Sequence, residues 1–148
     1  MIDKLDKSIL NALAENARQS YAEIAKDNHV SPATIHVRVE KMRKAGIITG
    51  AKLAIDAKKL GYDITCFIGI TLRQAGDYPS ALKKLEALPE VIEAYYTTGQ
   101  YSVFIKVMVR NIEDLQKMLI ERLQVIDEIQ STETLISLQS PIQRSILA

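Results

Sequence analysis

The side chains best suited to chemistry in this chain form a cationic, hydrogen-bonding set within one short stretch, Ser31 to Ala45. Four basic residues, Arg38, Lys41, Arg43 and Lys44, stand there against one acidic residue, Glu40. Ser31, Ala33, Thr34, His36 and Val37 precede or interleave with them. Lysine and arginine at this density neutralise phosphates and reach guanine edges, while short polar side chains suit base-edge contact. A solvated face whose cations complement a helix dipole would explain the charges alone. Catalytic chemistry has no comparable set. Both histidines, His29 and His36, lie before residue 61, and the single Cys66 sits inside the apolar run ITCFIGITL, where a buried structural thiol is expected. No Cys/His metal spacing, nucleophile elbow or phosphate-cradling glycine loop occurs, so neither an enzyme nor a metal site is expected.

The elements that must position the cationic set are readable from their ends. Ser20 followed by Glu23 reads as a capping box, and Ser31-Pro32 as an N-cap with proline at the first helical position. Gly46 falls where a residue of positive φ would end the second helix. Ile35, Val39 and Met42 recur at helical spacing and form its buried stripe. Two helices joined by so short a turn cross steeply, as in a helix-turn-helix that places its second helix in the DNA major groove. A preceding helix, Asp3 to Asn16, begins at an Asp3-x-x-Asp6 cap and carries Leu5, Ile9 and Leu13 on one face. Ile47–Ile55 reads as a strand or small hairpin, a wing beside the helices.

Beyond the polar segment DAKKLGY the rhythm changes. Ile64–Leu72, Val91–Thr98, Tyr101–Val109 and Glu128–Leu138 read as strands, with a hairpin turn at Gly99-Gln100. Tyr78–Leu88 and Ile112–Leu123 read as amphipathic helices. The order βαββαβ is the ferredoxin-like arrangement, an α+β fold whose helices cover one sheet face and leave the other for a second subunit. The expected domains are residues 1–60, a winged helix-turn-helix, and 61–148, a βαββαβ domain whose free sheet face suits oligomerisation. Charge follows the division: eleven Lys+Arg against seven Asp+Glu in residues 1–60, eight against eleven in 61–148. The apolar share of 47% suits a folded chain. The absence of a long apolar run and the charged start MIDKLDKSIL lead to an expectation of a cytoplasmic protein that spans no membrane. Tyr95, Tyr96 and Tyr101 could stack on a ligand or base; sheet packing and subunit contact is the better reading of Tyr95 and Tyr96, and Tyr101, close to Gly99, is the candidate for a ligand contact.

The segments LDKSILNALAENARQSYAEIAK, VSPATIHVRVEKMRKAGIITG and EAYYTTGQYSVFIKV, in this order, resemble the Lrp/AsnC family of transcription regulators over essentially the whole chain. IHVRVEKM, CFIGI, DYPSALKKLE and IDEIQSTETLISLQ are most similar to its AsnC subgroup, regulators of asparagine synthetase. The resemblance implies binding to pseudo-palindromic double-stranded DNA through Ser31, Ala33, Thr34, His36, Val37, Arg38 and Lys41. It also implies dimers assembled into a larger ring, often an octamer of four dimers. An amino-acid effector, for this subgroup L-asparagine, would sit between dimers. One wall would be Thr98, Gly99, Gln100, Tyr101 and Ser102; the other, from a second dimer, Gln130, Ser131, Thr132 and Thr134. Two departures stand out. Ser102 occupies a position that is often acidic in the family, and His29 one that is often glycine. Two other classes remain open on sequence: a tetrapyrrole decarboxylase of the same plan, disfavoured by the lack of histidine after residue 60, and a sensing subunit acting by protein contact, which leaves the basic helix pair without a purpose.

Overall fold

Three capped helices build the first unit. A computed structural model describes all residues, Met1–Ala148, and the chain divides into Met1–Ala54 with Pro141–Ala148, and Ile55–Ser140. The division thus falls before Gly61, and the last eight residues belong with the helices. They carry no regular secondary structure, and the Ala148 amide donates to Asn11 Oδ1 at 2.8 Å.

Helix α1 spans Lys4–Glu15, α2 Tyr21–Asp27 and α3 Pro32–Lys44. The capping box is made in full at α1, where Asp3 and Asp6 exchange side-chain and backbone hydrogen bonds. At α2 only half of the expected box forms: Ser20 Oγ accepts from the Glu23 amide, and no return bond from Glu23 is made. Ser31 caps α3 through the Thr34 amide, with Pro32 at its first turn. Ile9, Ile24, Ala25, Ile35, Val39 and Met42 form the buried core, so the stripe of α3 faces inward as its spacing predicts. The α2–α3 turn passes through His29 at φ 56° and the α3 terminus through Gly46 at φ 74°.

Ile47–Ile55 forms no strand or hairpin, and the expected wing is absent from this chain as a ladder. A strand needs a neighbour with which to exchange hydrogen bonds, and Gly50 and the mostly exposed side chains here find none. A short 3-10 turn, Ala57–Leu60, follows and ends at Gly61, φ 92°.

The second unit is a four-stranded antiparallel sheet of β1 Ile64–Leu72, β2 Val91–Tyr96, β3 Val103–Val109 and β4 Ile129–Ile136, in the order β2-β3-β1-β4. That order, with α4 Tyr78–Glu86 and α5 Ile112–Lys117 between strands, is the βαββαβ arrangement. Alternate residues of β1 and β3, including Ile68, Ile70, Ile105 and Val107, pack with Leu85, Leu115, Met118 and Leu123 in one core. Cys66 is fully buried there, which pushes its thiol pKa up, as expected of an inert cysteine. The expected single helix Ile112–Leu123 widens into a π turn at Met118–Leu123. Its i to i+5 bonding brings Met118 and Leu123 onto the same side, and both are fully buried. No helix is long and apolar enough to cross a membrane.

Candidate nucleic-acid interface and ligand hairpin

With Ile35, Val39 and Met42 turned inward, α3 presents Ala33, His36, Val37 and Lys41 outward. Val37 is 63% exposed, which leaves its methyls free to meet an apolar group. Ser31 and Thr34 hydroxyls pair with each other at 2.9 Å at the leading end, and Arg43 pairs with Glu40 at 2.9 Å at the trailing end. Lys41 makes no ion pair.

Arg38 is placed differently from its neighbours. Its Nη1 donates to Asp3 Oδ2 at 2.6 Å and to Asp6 Oδ1 at 3.1 Å. Asp6 is 1% exposed, so the guanidinium supplies the counter-charge of a buried carboxylate. The same two acids form the α1 capping box, and the cluster ties the first turn of α1 to the middle of α3. Arg38 and the capping amide hold the Asp3 carboxyl down at about 2, and the pair raises the arginine in turn. The pairing of Asp3 and Asp6 with Arg38 is not legible in sequence, because their role as a helix cap accounts for both without a distant partner.

The hairpin of the second unit is longer than the two-residue turn expected at Gly99-Gln100. β2 ends at Tyr96 and β3 begins at Val103. The Thr97 amide donates to Ser102 O and the Thr97 hydroxyl to Tyr101 O, closing the loop, while the Ser102 amide donates to Ile70 O. Gly99 adopts φ 97°, a region that favours glycine. The Gly99 and Gln100 amides make no hydrogen bond within the chain. Ser102 Oγ accepts from the Leu72 amide at 3.4 Å, where β1 and β4 shift register between Thr71 and Leu72.

Tyr101 therefore lies in the loop and not in a strand. Its ring covers Gly69: a Cβ there would sit 2.6 Å from the ring. Its hydroxyl donates to the Glu133 carboxylate, which raises the phenol pKa. An isolated glycine inside a strand signals such a close approach, and Gly69 was the available clue in ITCFIGITL. Tyr96 turns to the other face and packs edge-on against Tyr78 at 4.2 Å, while the Tyr95 hydroxyl donates to Glu93. On β4 the expected polar wall divides. Ser131 shares the outer face with Glu133, Gln130 is the extra residue at the register shift, and Thr132 and Thr134, opposite Ile70 and Ile68, turn toward the helices.

Comparison with known proteins decides what these two units are. Residues 2–43 match the AsnC-type helix-turn-helix domain, and residues 65–147 the Lrp/AsnC ligand binding domain. The chain belongs to the Lrp/AsnC family. It is similar to the regulatory protein AsnC of Escherichia coli (strain K12), 66% identical over 99% of this chain and 96% of that protein. The structure of E. coli AsnC superimposes with a TM-score of 0.96 at 66% identity, covering 100% of this chain and 99% of that one. The HTH-type transcriptional regulator Ptr1 of Methanocaldococcus jannaschii is 35% identical over 83% of this chain and 82% of its own length. The chain is thus a helix-turn-helix transcription regulator with an effector domain suited to an amino acid, and not an enzyme.

Proposed function

We propose that α3 reads operator DNA in pairs, and that L-asparagine held at the Thr97–Ser102 hairpin, between dimers, alters which sites are bound. The observation that carries the DNA reading is the outward stripe Ala33, His36, Val37 and Lys41, on a helix whose start is fixed by Ser31 and Pro32 and whose inner stripe is buried. Lys41 neutralises a phosphate; His36 and Val37 reach base edges, with Ser31 and Thr34 at the leading turn. Arg38 acts chiefly by holding α3 on α1. At the hairpin, the Gly99 and Gln100 amides offer two donors to an α-carboxylate. Gln130 and Ser131 of a second dimer complete the site; Thr132 and Thr134 face the helices and contribute through the sheet. Dimers of the exposed sheet face, assembled further to an octamer, act in the cytoplasm.

Fluorescence anisotropy with operator DNA across a salt series tests the assignment. Lys41→Ala should weaken binding to all sequences and lower the salt slope by about 1, while His36→Ala should relax preference at one position by about 1–3 kcal/mol. Wild-type affinity, slope and preference in both variants would reject α3 as the reading helix.

A further inference from the structure

Arg38 stands between the buried stripe of α3 and its outward stripe. At about 100° of turn per residue it lies about 60° from Lys41 and about 40° from Thr34 around the helix, on the edge of the outward face. Its guanidinium is used from one end only. Nη1 alone makes the contacts to Asp3 and Asp6, while Nε and Nη2 donate to no group of the chain. Arginine carries its donors in a rigid planar fork that matches two oxygens of a phosphate. The side chain is partly exposed, so that fork is open to solvent.

The two carboxylates hold Nη1 on different terms. Asp6 is buried, and without Nη1 its charge would stand unpaired in the interior, so this contact is fixed. Asp3 is 55% exposed, and an ion pair so open to water is weak and screened by salt. Asp3 also divides its work between its two oxygens. Oδ1 accepts from the Asp6 amide and caps α1, while Oδ2 meets Arg38. The cap needs only the first of these, and a neutral amide side chain would supply it equally well. The negative charge at residue 3 is therefore spent on Arg38.

We propose that Asp3 is a built-in competitor of DNA for Arg38. In the free protein it occupies and neutralises the exposed side of the guanidinium. When α3 enters the groove, a backbone phosphate takes the place of Asp3 at the fork, and Nη1 stays on Asp6. The proposal rests on the reading of α3 as the DNA helix and adds a residue of α1 to what sets its affinity. The restraint falls on operator and unrelated DNA alike, because a phosphate contact carries no sequence information.

Asp3→Asn is the decisive variant, since asparagine caps a helix as well as aspartate does. Fluorescence anisotropy well below the melting temperature, on operator and on an unrelated duplex, should show tighter binding to both. The slope of log affinity against log salt should steepen by about 0.9, making the gain about threefold larger at 50 mM than at 200 mM salt. Glu23→Gln removes the same charge from an exposed acid of α2 that pairs with no cation, and should leave the slope unchanged. Lys41→Ala checks the underlying reading separately. Weaker binding in Lys41→Ala with no gain in Asp3→Asn overturns the proposal and leaves α3 as the reading helix. A gain in Asp3→Asn that Glu23→Gln matches in size and slope also overturns it, since Asp3 would then be one more negative charge. Wild-type binding in Lys41→Ala and Asp3→Asn together would remove the reading and the proposal at once.

Discussion

The cluster of Arg38, Asp3 and Asp6 ties the proposed DNA-reading helix to α1 through one guanidinium. Removing its guanidinium leaves Asp6 buried without its counter-charge. Arg38→Ala should therefore lower the melting temperature of the helical unit, and its loss of DNA binding should accompany that loss of structure. Lys41→Ala should weaken DNA binding with no change in melting temperature. Circular dichroism melts beside binding curves separate the two. The cluster also sets a pH dependence. Asp3 is held at about 2 in the folded protein, below its unfolded value of about 4. Its contribution is complete above that unfolded value and is lost as the pH falls toward 2. The margin by which wild type out-melts Asp3→Asn should therefore be constant from pH 7 to 5 and close between about pH 4 and 2. A margin unchanged at pH 2 would remove Asp3 from the cluster. In the sequence Arg38 is one more cation on a basic helix and carries no mark of the carboxylates that another helix brings to it.

Helices were legible in this chain because their signals are local. Caps at Asp3, Ser20 and Ser31 and the stripe Ile35, Val39, Met42 are all read within a few residues. The sheet was legible from its period and the order of its strands, β1 to its ends. What escaped depends on partners distant in sequence: the missing ladder at Ile47–Ile55, and the seat of Tyr101 on Gly69 beneath Glu133. Two substitutions probe these elements. His29 holds φ 56° in the α2–α3 turn, where a Cβ costs more than glycine's lost entropy, so His29→Gly should raise stability by about 0.5–1 kcal/mol in urea unfolding. Gly69→Ala puts a Cβ into the Tyr101 ring and should destabilise the sheet unit by about 1–3 kcal/mol. It should also loosen the hairpin and weaken the response to effector. Wild-type stability in the Gly69→Ala variant would show that the tyrosine is free to leave.

In the whole molecule, the helix-free sheet face is the surface on which the proposed dimers would pair. Phe67 and Phe104 stack there at 6.0 Å, beside Tyr95 and Leu135, exposed at 54% and 45%. An exposed apolar face of this kind suits contact with another chain, and the proposed dimer supplies one. Leu135→Glu should shift sedimentation toward monomer and, by separating the paired reading helices, abolish operator binding. The proposed regulator couples both units: pairs of α3 helices hold DNA, and an amino acid at the hairpin sets how much is held. Linkage requires that the effector bind the DNA-competent and incompetent assemblies unequally. The most direct measurement is a gel shift of the full-length protein on the DNA upstream of its own gene, at fixed salt, with L-asparagine and with D-asparagine as control. A sequence-specific shift altered by the L-isomer alone is the predicted result. No specific shift, or one that L-asparagine leaves unchanged, would contradict it.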